Sequence, residues 1–491
     1  MEITDFNQFT IIDGEEKEVV PSMEEGFDTS SRYIHKTSFE LKDVSVAFAN
    51  SLRRSFSTMC PTITFDKESI AIETNTTALH NEFLIHRLEF IPIYSDGDLS
   101  KETFKLKTYY NIAEGIRSWE FVNEDKVPKF LIDTVKPETI LTSNNNMNNI
   151  DDITTDSFVI KDGITSLRNE EFFKKDVFTN DPILIDCLKT NLKEDGHRDS
   201  LKLSATPTYG IGKENTRNDP TGTVQYNFKL DSDDKIETKW GDKLTYLRKD
   251  REINGLKPYT EKEVEKLKKS FNLLDKYRVY KTNDEGQANH FEFIVESIGF
   301  MSSNRIIYDA IKHLELSIDD VIHSIGFKKT SLGTYSLAKN YSKKITVSKF
   351  KTTNINEGCS IVIKNENHTI GNLIQDKLRE KFLVKDNKQD LSKYLKLANY
   401  RMDHPTIEEI EVMISIRDNV DNTIIDSFLK EYITDLYGDD ADIKINKDNR
   451  HLYFSVYLFI QTLKEIKKDT TEFLNLYGNI SSIDEASFIV L

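Results

Sequence analysis

The sequence predicts an α+β protein in which one strand-loop-helix unit occurs twice, the first copy being interrupted by a long insertion. Three observations predict it. Residues 43–61, DVSVAFANSLRRSFSTMCP, set Val44, Phe48, Leu52 and Phe56 four apart, with Ala47, Ser51 and Ser55 as a small-residue row beside them. A helix with that face can approach another helix closely. The same unit then returns: Phe39 to Lys42 leads into this helix, and 322 residues later Ile361 to Lys364 leads into NENHTIGNLIQDKLREKF. In that register Phe39 meets Ile361, Leu41 meets Ile363, Lys42 meets Lys364, Phe48 meets Ile370, Asn50 meets Asn372, Leu52 meets Ile374 and Phe56 meets Leu378. Two apolar stripes, one of Phe48, Leu52 and Phe56 and one of Ile370, Leu373, Ile374 and Leu378, can bury each other within one chain, which is the arrangement of a dimer.

Taken in order, residues 1–30 hold nine acids against one lysine and little periodicity, which reads as a mobile or partner-binding arm, or a solvated tail. Residues 33–41 alternate as a strand, Asp43 can cap the first pairing helix, and Pro61 stops it. Residues 62–73, TITFDKESIAIE, read as a strand leaving this layer. The stretch from 95 to 271 is less regular and includes the Asn-rich loop TSNNNMNNIDD at 142–152. A charged helix follows at 261–276, with Val264, Leu267, Phe271 and Leu274 as its apolar side, then a strand at 291–298. Ser302 or Ser303 caps a long helix striped by Ile307, Ile311, Leu314, Ile318, Val321 and Ile325. Residues 328–344 carry five lysines and no acid and read as a linker. The second half repeats strand and helix from Phe350, adds a strand at 409–417 and an insertion at 418–445, and ends in a helix at 451–473.

Composition narrows the function. A net charge of -16, from 82 acids and 66 bases, is the wrong sign for a surface that tracks phosphates, so little or no direct nucleic-acid contact is expected. No apolar run is long enough to span a bilayer, so no membrane is expected. The three cysteines, Cys60, Cys187 and Cys359, lie far apart without a CxxC spacing, which suits a reducing compartment and writes no zinc module.

The chemical motifs are weak. His80 and His86 are six apart rather than four, without HExxH, so residues 79–93 read as a buried junction whose polar groups His80, Glu82, His86 and Arg87 fix a turn. Gly210, Gly212 and Lys213 superficially suggest a phosphate loop, but Pro207 stands where its first glycine belongs and Glu214 replaces the hydroxyl residue. YGDD at 437–440 matches the metal-binding turn of some polymerases. Its companion carboxylates Asp421 and Asp426 lie too close upstream for a palm domain, so an acidic turn after a helix is the plainer reading.

NSLRR at 50–54, LHNEFLIHRLEFIPI at 79–93 and VESIG at 295–299 resemble the third-largest subunit of eukaryotic RNA polymerase II, its archaeal counterpart and, more distantly, bacterial alpha. ENHTIGNL at 366–373 and YRMDHP at 400–405 resemble its small partner, archaeal subunit L, and the fused order resembles the polymerase subunit of large cytoplasmic DNA viruses. The resemblance implies a noncatalytic platform in DNA-templated transcription, with no cofactor. It divides the chain into an acidic arm (1–30), a first alpha-like dimerisation domain (31–68 and 275–327), an inserted domain (69–274), a linker (328–347) and a second, subunit L-like domain (348–491), forming an intramolecular pseudo-dimer. Implied partners are the second-largest and largest polymerase subunits and small zinc-binding subunits. The partner-binding residues would be Asn50, Arg53, Arg54, His80, Glu82, His86, Arg87, Gly212, Lys213 and Glu214, with Asn215, Thr216 and Asn218 departing from the family motif. Some relatives carry a cysteine-rich loop in the insertion, but this insertion holds only Cys187, so no zinc is expected. The setting would be host cytoplasm and virion if viral, otherwise nucleus or cytoplasm. A free dimerisation or regulatory module, or a polymerase using YGDD, are the competing readings.

Overall fold

The computed structural model describes residues 1–12, 15–18, 34–95, 102–134, 150–163, 165–176, 179–189, 199–329, 334–337, 341–352, 355–383, 393–437, 444–445, 449–481, 483 and 489–490. In chain order the first unit opens with β1 (Glu2–Ile12), β2 (Glu15–Glu18), β3 (Lys36–Lys42) and α1 (Val46–Thr58). Strand β4 (Pro61–Asn75) then carries the chain into the insertion. There α2 (Asn81–Glu89) precedes β5 (Leu106–Asn111), β6 (Ile116–Phe121), β7 (Lys129–Asp133), β8 (Ile150–Thr154), β9 (Val159–Asp162), β10 (Thr165–Leu167), β11 (Leu184–Lys189) and β12 (Leu201–Ile211). The first unit resumes with β13 (Thr221–Phe228), an excursion through α3 (Asp233–Ile253) and α4 (Glu261–Ser270), then β14 (His290–Ser297) and α5 (Ser303–His323). Its sheet runs β13-β14-β3-β1-β2 and is antiparallel throughout.

After β15 (Phe327–Lys329) and β16 (Thr334–Leu337), the second unit is built of β17 (Ile345–Thr352), β18 (Ile355–Lys364), α6 (His368–Phe382), β19 (Leu395–Arg401), β20 (Glu409–Ile416), α7 (Asn422–Tyr437) and α8 (Arg450–Ser481). Its antiparallel sheet has the order β19-β20-β18-β17. The registers agree strand by strand. Leu41 is flanked by Ile3 and Phe291, and Ile363, 322 residues on, is flanked by Ile345 and Ile410. One strand further out, Tyr226 sits opposite Phe293 and Tyr400 opposite Val412.

The helices cover these sheets and share one core. Phe39, Leu52, Phe56, Phe293 and Leu314 belong to the same buried cluster as Ile361, Ile374, Leu378, Val412 and Leu463. The insertion has its own core of Ile63, Phe65, Phe104, Phe130, Phe172 and Leu203, and α3 and α4 pack a small third one around Trp240 and Phe271. Its sheet, β10-β9-β7-β12-β4, is tied to the first unit by continuity of β4, whose Pro61–Phe65 end is buried.

Several expectations are corrected. Asp43 does not cap α1: Ser45 does, its hydroxyl accepting from Phe48 N at 3.2 Å. The acidic arm is in large part strand, since β1 pairs with β3 and buries Ile3. A bulge between Thr4 and Asn7, with Asp5 at φ 49°, breaks the alternation that would have revealed it. The first unit resumes at Thr221 rather than near 275, because β13 pairs with β14, and its Val224 and Tyr226 pack against the main core. The expected linker ends in β17, paired with β18, and its Lys344 is buried. The 418–445 stretch holds α7, whose Ile425 and Leu429 join the main core.

Candidate assembly interface

The residues of both stripes are buried. Leu52, Phe56, Ile374 and Leu378 are fully buried, and Phe48, Ile370 and Leu373 nearly so. Burying each such side chain contributes roughly 1.5–3 kcal/mol. Close approach is possible because Ser51 and Ser55 turn their hydroxyls back onto their own helix, donating to Phe48 O at 2.7 Å and Ser51 O at 2.8 Å. On α6, Gly371 lies against Tyr400, where a Cβ would come 2.5 Å from the ring.

Arg54 reaches across this interface. Its Nε donates to Thr369 Oγ1 at 2.8 Å, and burial beside Arg53 lowers its pKa. Arg53 Nε donates to Asn50 Oδ1 at 3.2 Å on the same helix. Burial raises the Tyr226 and Tyr400 phenols, partly offset by Arg53 and Arg54 respectively. Asp66 is held by Arg217 at 2.9 Å.

The segment 212–214 straps the insertion to both units. Lys213 N donates to Thr58 O at 2.8 Å, at the end of α1. Lys213 Nζ donates to Asn365 O at 2.8 Å and pairs with Glu408 at 3.0 Å. Gly212 packs so close to α1 that a Cβ would collide with Ser57 O. Glu214 is exposed. Thus Arg54 and Lys213, read from the sequence as partner-binding, already bind within the chain.

The four polar residues of α2 correct the reading of a buried junction, since His80, Glu82, His86 and Arg87 are all exposed. His80 caps the helix, accepting from Glu82 N at 3.4 Å, and Arg87 donates to Leu184 O at 2.8 Å. Leu84 and Leu88 anchor the opposite face at full burial. Phe83 and Phe90 stand 68 % and 51 % exposed on the outside, and the His86 ring lies 5.0 Å from Phe90. An outward face with two aromatic rings and flanking charges suits a protein contact.

Sequence reasoning missed the polar joint that holds the insertion to α5 and the second unit. Arg117 makes a forked pair with Asp320 at 3.0 and 2.5 Å, and buried Lys344 pairs with Glu366 at 2.9 Å. His313, buried, donates from Nδ1 to Met59 O at 2.8 Å and lies edge-on to Trp119. No local spacing marks these groups, because their partners lie 203, 22 and 254 residues away.

Among the described residues no group of three or more His, Cys, Asp or Glu is placed to hold a metal, and no helix is long and apolar enough to cross a membrane. Gly438 to Asp440 of YGDD lie outside the described residues.

Comparison with known proteins agrees with this architecture. The chain is 24% identical over 299 residues to subunit 3 of DNA-directed RNA polymerases II, IV and V of Arabidopsis thaliana, covering 58% of this chain and 86% of the relative. Subunit 3B of polymerases IV and V of the same plant is 23% identical over 298 residues, with the same coverage. Subunit Rpo3 of the polymerase of Methanopyrus kandleri is 31% identical over 70 residues, 14% of this chain and 25% of the relative. A family profile described as the RNA polymerase Rpb3/Rpb11 dimerisation domain matches residues 38–317, more than half of the chain, from β3 into α5. The chain therefore belongs to the RNA polymerase Rpb3/Rpb11 dimerisation-domain family.

Proposed function

We propose that this chain is a noncatalytic assembly subunit of a multisubunit DNA-directed RNA polymerase in which two subunits are fused. The first unit with its insertion does the work of the third-largest subunit, and the second unit replaces the small partner. Together they form a pseudo-dimeric platform for the second-largest and largest subunits and for small zinc-binding subunits. The observation that carries this reading is the single core shared by α1 and α6, built from two units with matching strand order. The printed names of the plant and archaeal relatives support the polymerase part. The fused order resembles the subunit of large cytoplasmic DNA viruses; if the chain is viral the complex works in host cytoplasm and virion, and otherwise in nucleus or cytoplasm.

The second-largest subunit is assigned to the exposed side of α2, with Phe83, His86, Arg87 and Phe90 as its contacts. Tagged chain should bring down the two large subunits at one copy each, and Phe83→Ser with Arg87→Ala should weaken recovery of the second-largest without lowering the melting temperature. A chain that purifies alone, with no large subunit at any salt, would leave the free dimerisation module as the better reading.

A further inference from the structure

The helical excursion between β13 and β14 leaves and returns through a paired neck. Leu230 stands opposite Tyr280, Asp231 N donates to Val279 O at 3.0 Å and Lys281 N to Lys229 O at 2.9 Å. Beyond the neck α3 and α4 close on their small core of Ile236, Trp240 and Phe271. That core takes in few of the apolar residues at hand. Tyr246, Ile253, Leu256, Leu273, Leu274 and Tyr277 all face solvent.

Leu274, expected on the apolar side of α4, is turned out by the backbone. An α-helix would set it beside Phe271, three residues before it. Instead the chain widens over Phe271–Asp275 into a π-type turn, in which Lys276 N bonds back to Phe271 O. The wider turn brings Asp275 to the Phe271 side, where Lys243 pairs with its carboxylate and lies 5.8 Å from the centre of the Phe271 ring. Leu273, Leu274 and Tyr277 are left 73, 66 and 66 % exposed. Single π turns of this kind recur at functional sites, and large apolar side chains grouped in water mark contact surfaces.

The charge around this turn is opposite in sign to that of the whole protein. Residues 266–281 hold six bases, Lys266, Lys268, Lys269, Lys276, Arg278 and Lys281, against the single acid Asp275, in a chain of net charge -16. Asp275 is engaged by Lys243, and Arg278 reaches it only at 4.0 Å. Lys268 and Lys269 answer Glu237 and Glu265, each at 2.9 Å. Among the described residues no carboxylate pairs with Lys266 or Lys276. Lys266 precedes Leu273 by seven residues, the spacing of one helix face.

We propose that the turn at Leu273, Leu274 and Tyr277 is a docking surface for an acidic amphipathic segment of another protein. Its apolar side chains cover these three residues, and its carboxylates meet Lys266, Lys276 and Arg278. Charge complementarity selects the acid. The two leucines select a protein over nucleic acid, because an aliphatic side chain offers no ring on which a base can stack. The inference does not rest on the polymerase reading.

The test uses the purified full chain and a fluorescein-labelled peptide, Glu-Glu-Leu-Leu-Glu-Asp-Phe-Glu-Asp-Leu-Leu-Glu, read by anisotropy at about 50 mM salt, where surface charge is weakly screened. One control copy carries Gln and Asn for the acids, another serine for the apolar residues. The parent peptide should bind about tenfold more tightly than either control. Leu273→Ser with Leu274→Ser should remove that preference at an unchanged melting temperature, since both side chains already face water. Lys266→Gln with Lys276→Gln should weaken the parent peptide about threefold, and Phe83→Ser on α2 should leave its binding intact. No binding, equal binding of the three peptides, full binding by the leucine variant, or loss on Phe83→Ser overturns the proposal. A short single-stranded oligonucleotide that binds more tightly than the peptide and is lost with the leucine variant would make the occupant nucleic acid and overturns it. So does self-association in sedimentation equilibrium that the leucine variant abolishes, which would make the occupant a second copy of the chain.

Discussion

Asp43 and Asn365, 322 residues apart, take the same left-handed backbone turn, with φ of 58° and 59°, and each N–H closes onto the carbonyl of the residue just before a strand of its own unit, Asn289 before β14 and Glu408 before β20. Two residues later each unit caps its helix, with Ser45 accepting from Phe48 N and Asn367 from Thr369 N. Only Gly, Asn and Asp adopt such a turn without much strain. Asp43→Asn should therefore leave stability within about 0.5 kcal/mol, whereas a β-branched residue such as valine at either position should cost about 1–3 kcal/mol. Urea melts of these single variants would decide it. A harmless valine at both sites would show that the turns are not required.

The pairing stripe is the next place to look. Leu52→Ala and Ile374→Ala each empty space in the shared core and should cost about 2–5 kcal/mol. Val46, on the same helix but 38% exposed, gives the comparison. Its alanine variant should cost less than about 0.5 kcal/mol. Equal midpoints for Leu52→Ala and Val46→Ala would mean that the stripe contributes nothing.

Arg54 tests the bond between the units. Its side chain is about half-buried, so loss of the bond to Thr369 should cost about 1 kcal/mol rather than the several expected of a desolvated pair. Arg54→Ala and Thr369→Val should be less than additive in a double-mutant cycle, with a coupling of about 0.5 kcal/mol or more. Arg53→Ala, which loses only a bond within its own helix, should show no coupling to Thr369→Val. Additivity of the Arg54 and Thr369 changes would assign that arginine to something outside the chain.

His313 gives the fold a pH dependence. Burial lowers its pKa from 6.5 to about 4, outweighing the bond to Met59 O. Between these values the unfolded chain takes up a proton that the folded chain refuses, so this contribution is complete above about pH 6.5 and is lost as the pH falls toward 4. The slope should approach about 1 kcal/mol per pH unit in that window. His313→Gln should flatten it relative to the parent chain, as measured by denaturation midpoints at pH 7, 6, 5 and 4.5. A parallel pair of curves would place the titrating group elsewhere.

What could be read from the sequence follows from where the information sits. The repeat was legible because Phe48, Leu52 and Phe56 and their counterparts are spaced by helix geometry, a local property. Strands β14 and β20 were legible for a similar reason, since both alternate buried and half-buried residues. Strand β1 was not, because the bulge at Asp5 shifts its register midway. Strand β13 was passed over although Val224, Tyr226 and Phe228 alternate with Gln225 and Asn227, and in β17 the apolar alternation breaks where Lys349 follows Ile345 and Val347 on one face.

The site divides along the same line. The sequence marks Arg54 and Lys213 as special, but their use depends on the fold, which brings Thr369 to one and Asn365 to the other across 315 and 152 residues. Local pattern also cannot tell which side of α2 faces out. Its apolar residues include both the buried Leu84 and the exposed Phe83, and only the packing of the insertion's sheet chooses between them.

The order of synthesis gives the shared core a history. Helix α1 is complete by Thr58, but α6 ends only at Phe382. At roughly 5–20 residues per second the ribosome needs about 15–65 s to make the difference. For that time the stripe of α1 lacks the helix it will face, and for most of it β3 lacks its neighbour β14, which is complete only at Ser297. A nascent chain in that state exposes Phe48, Leu52 and Phe56 to whatever binds apolar helices, and a ribosome that stalls within the insertion would release a product with its sticky face permanently open.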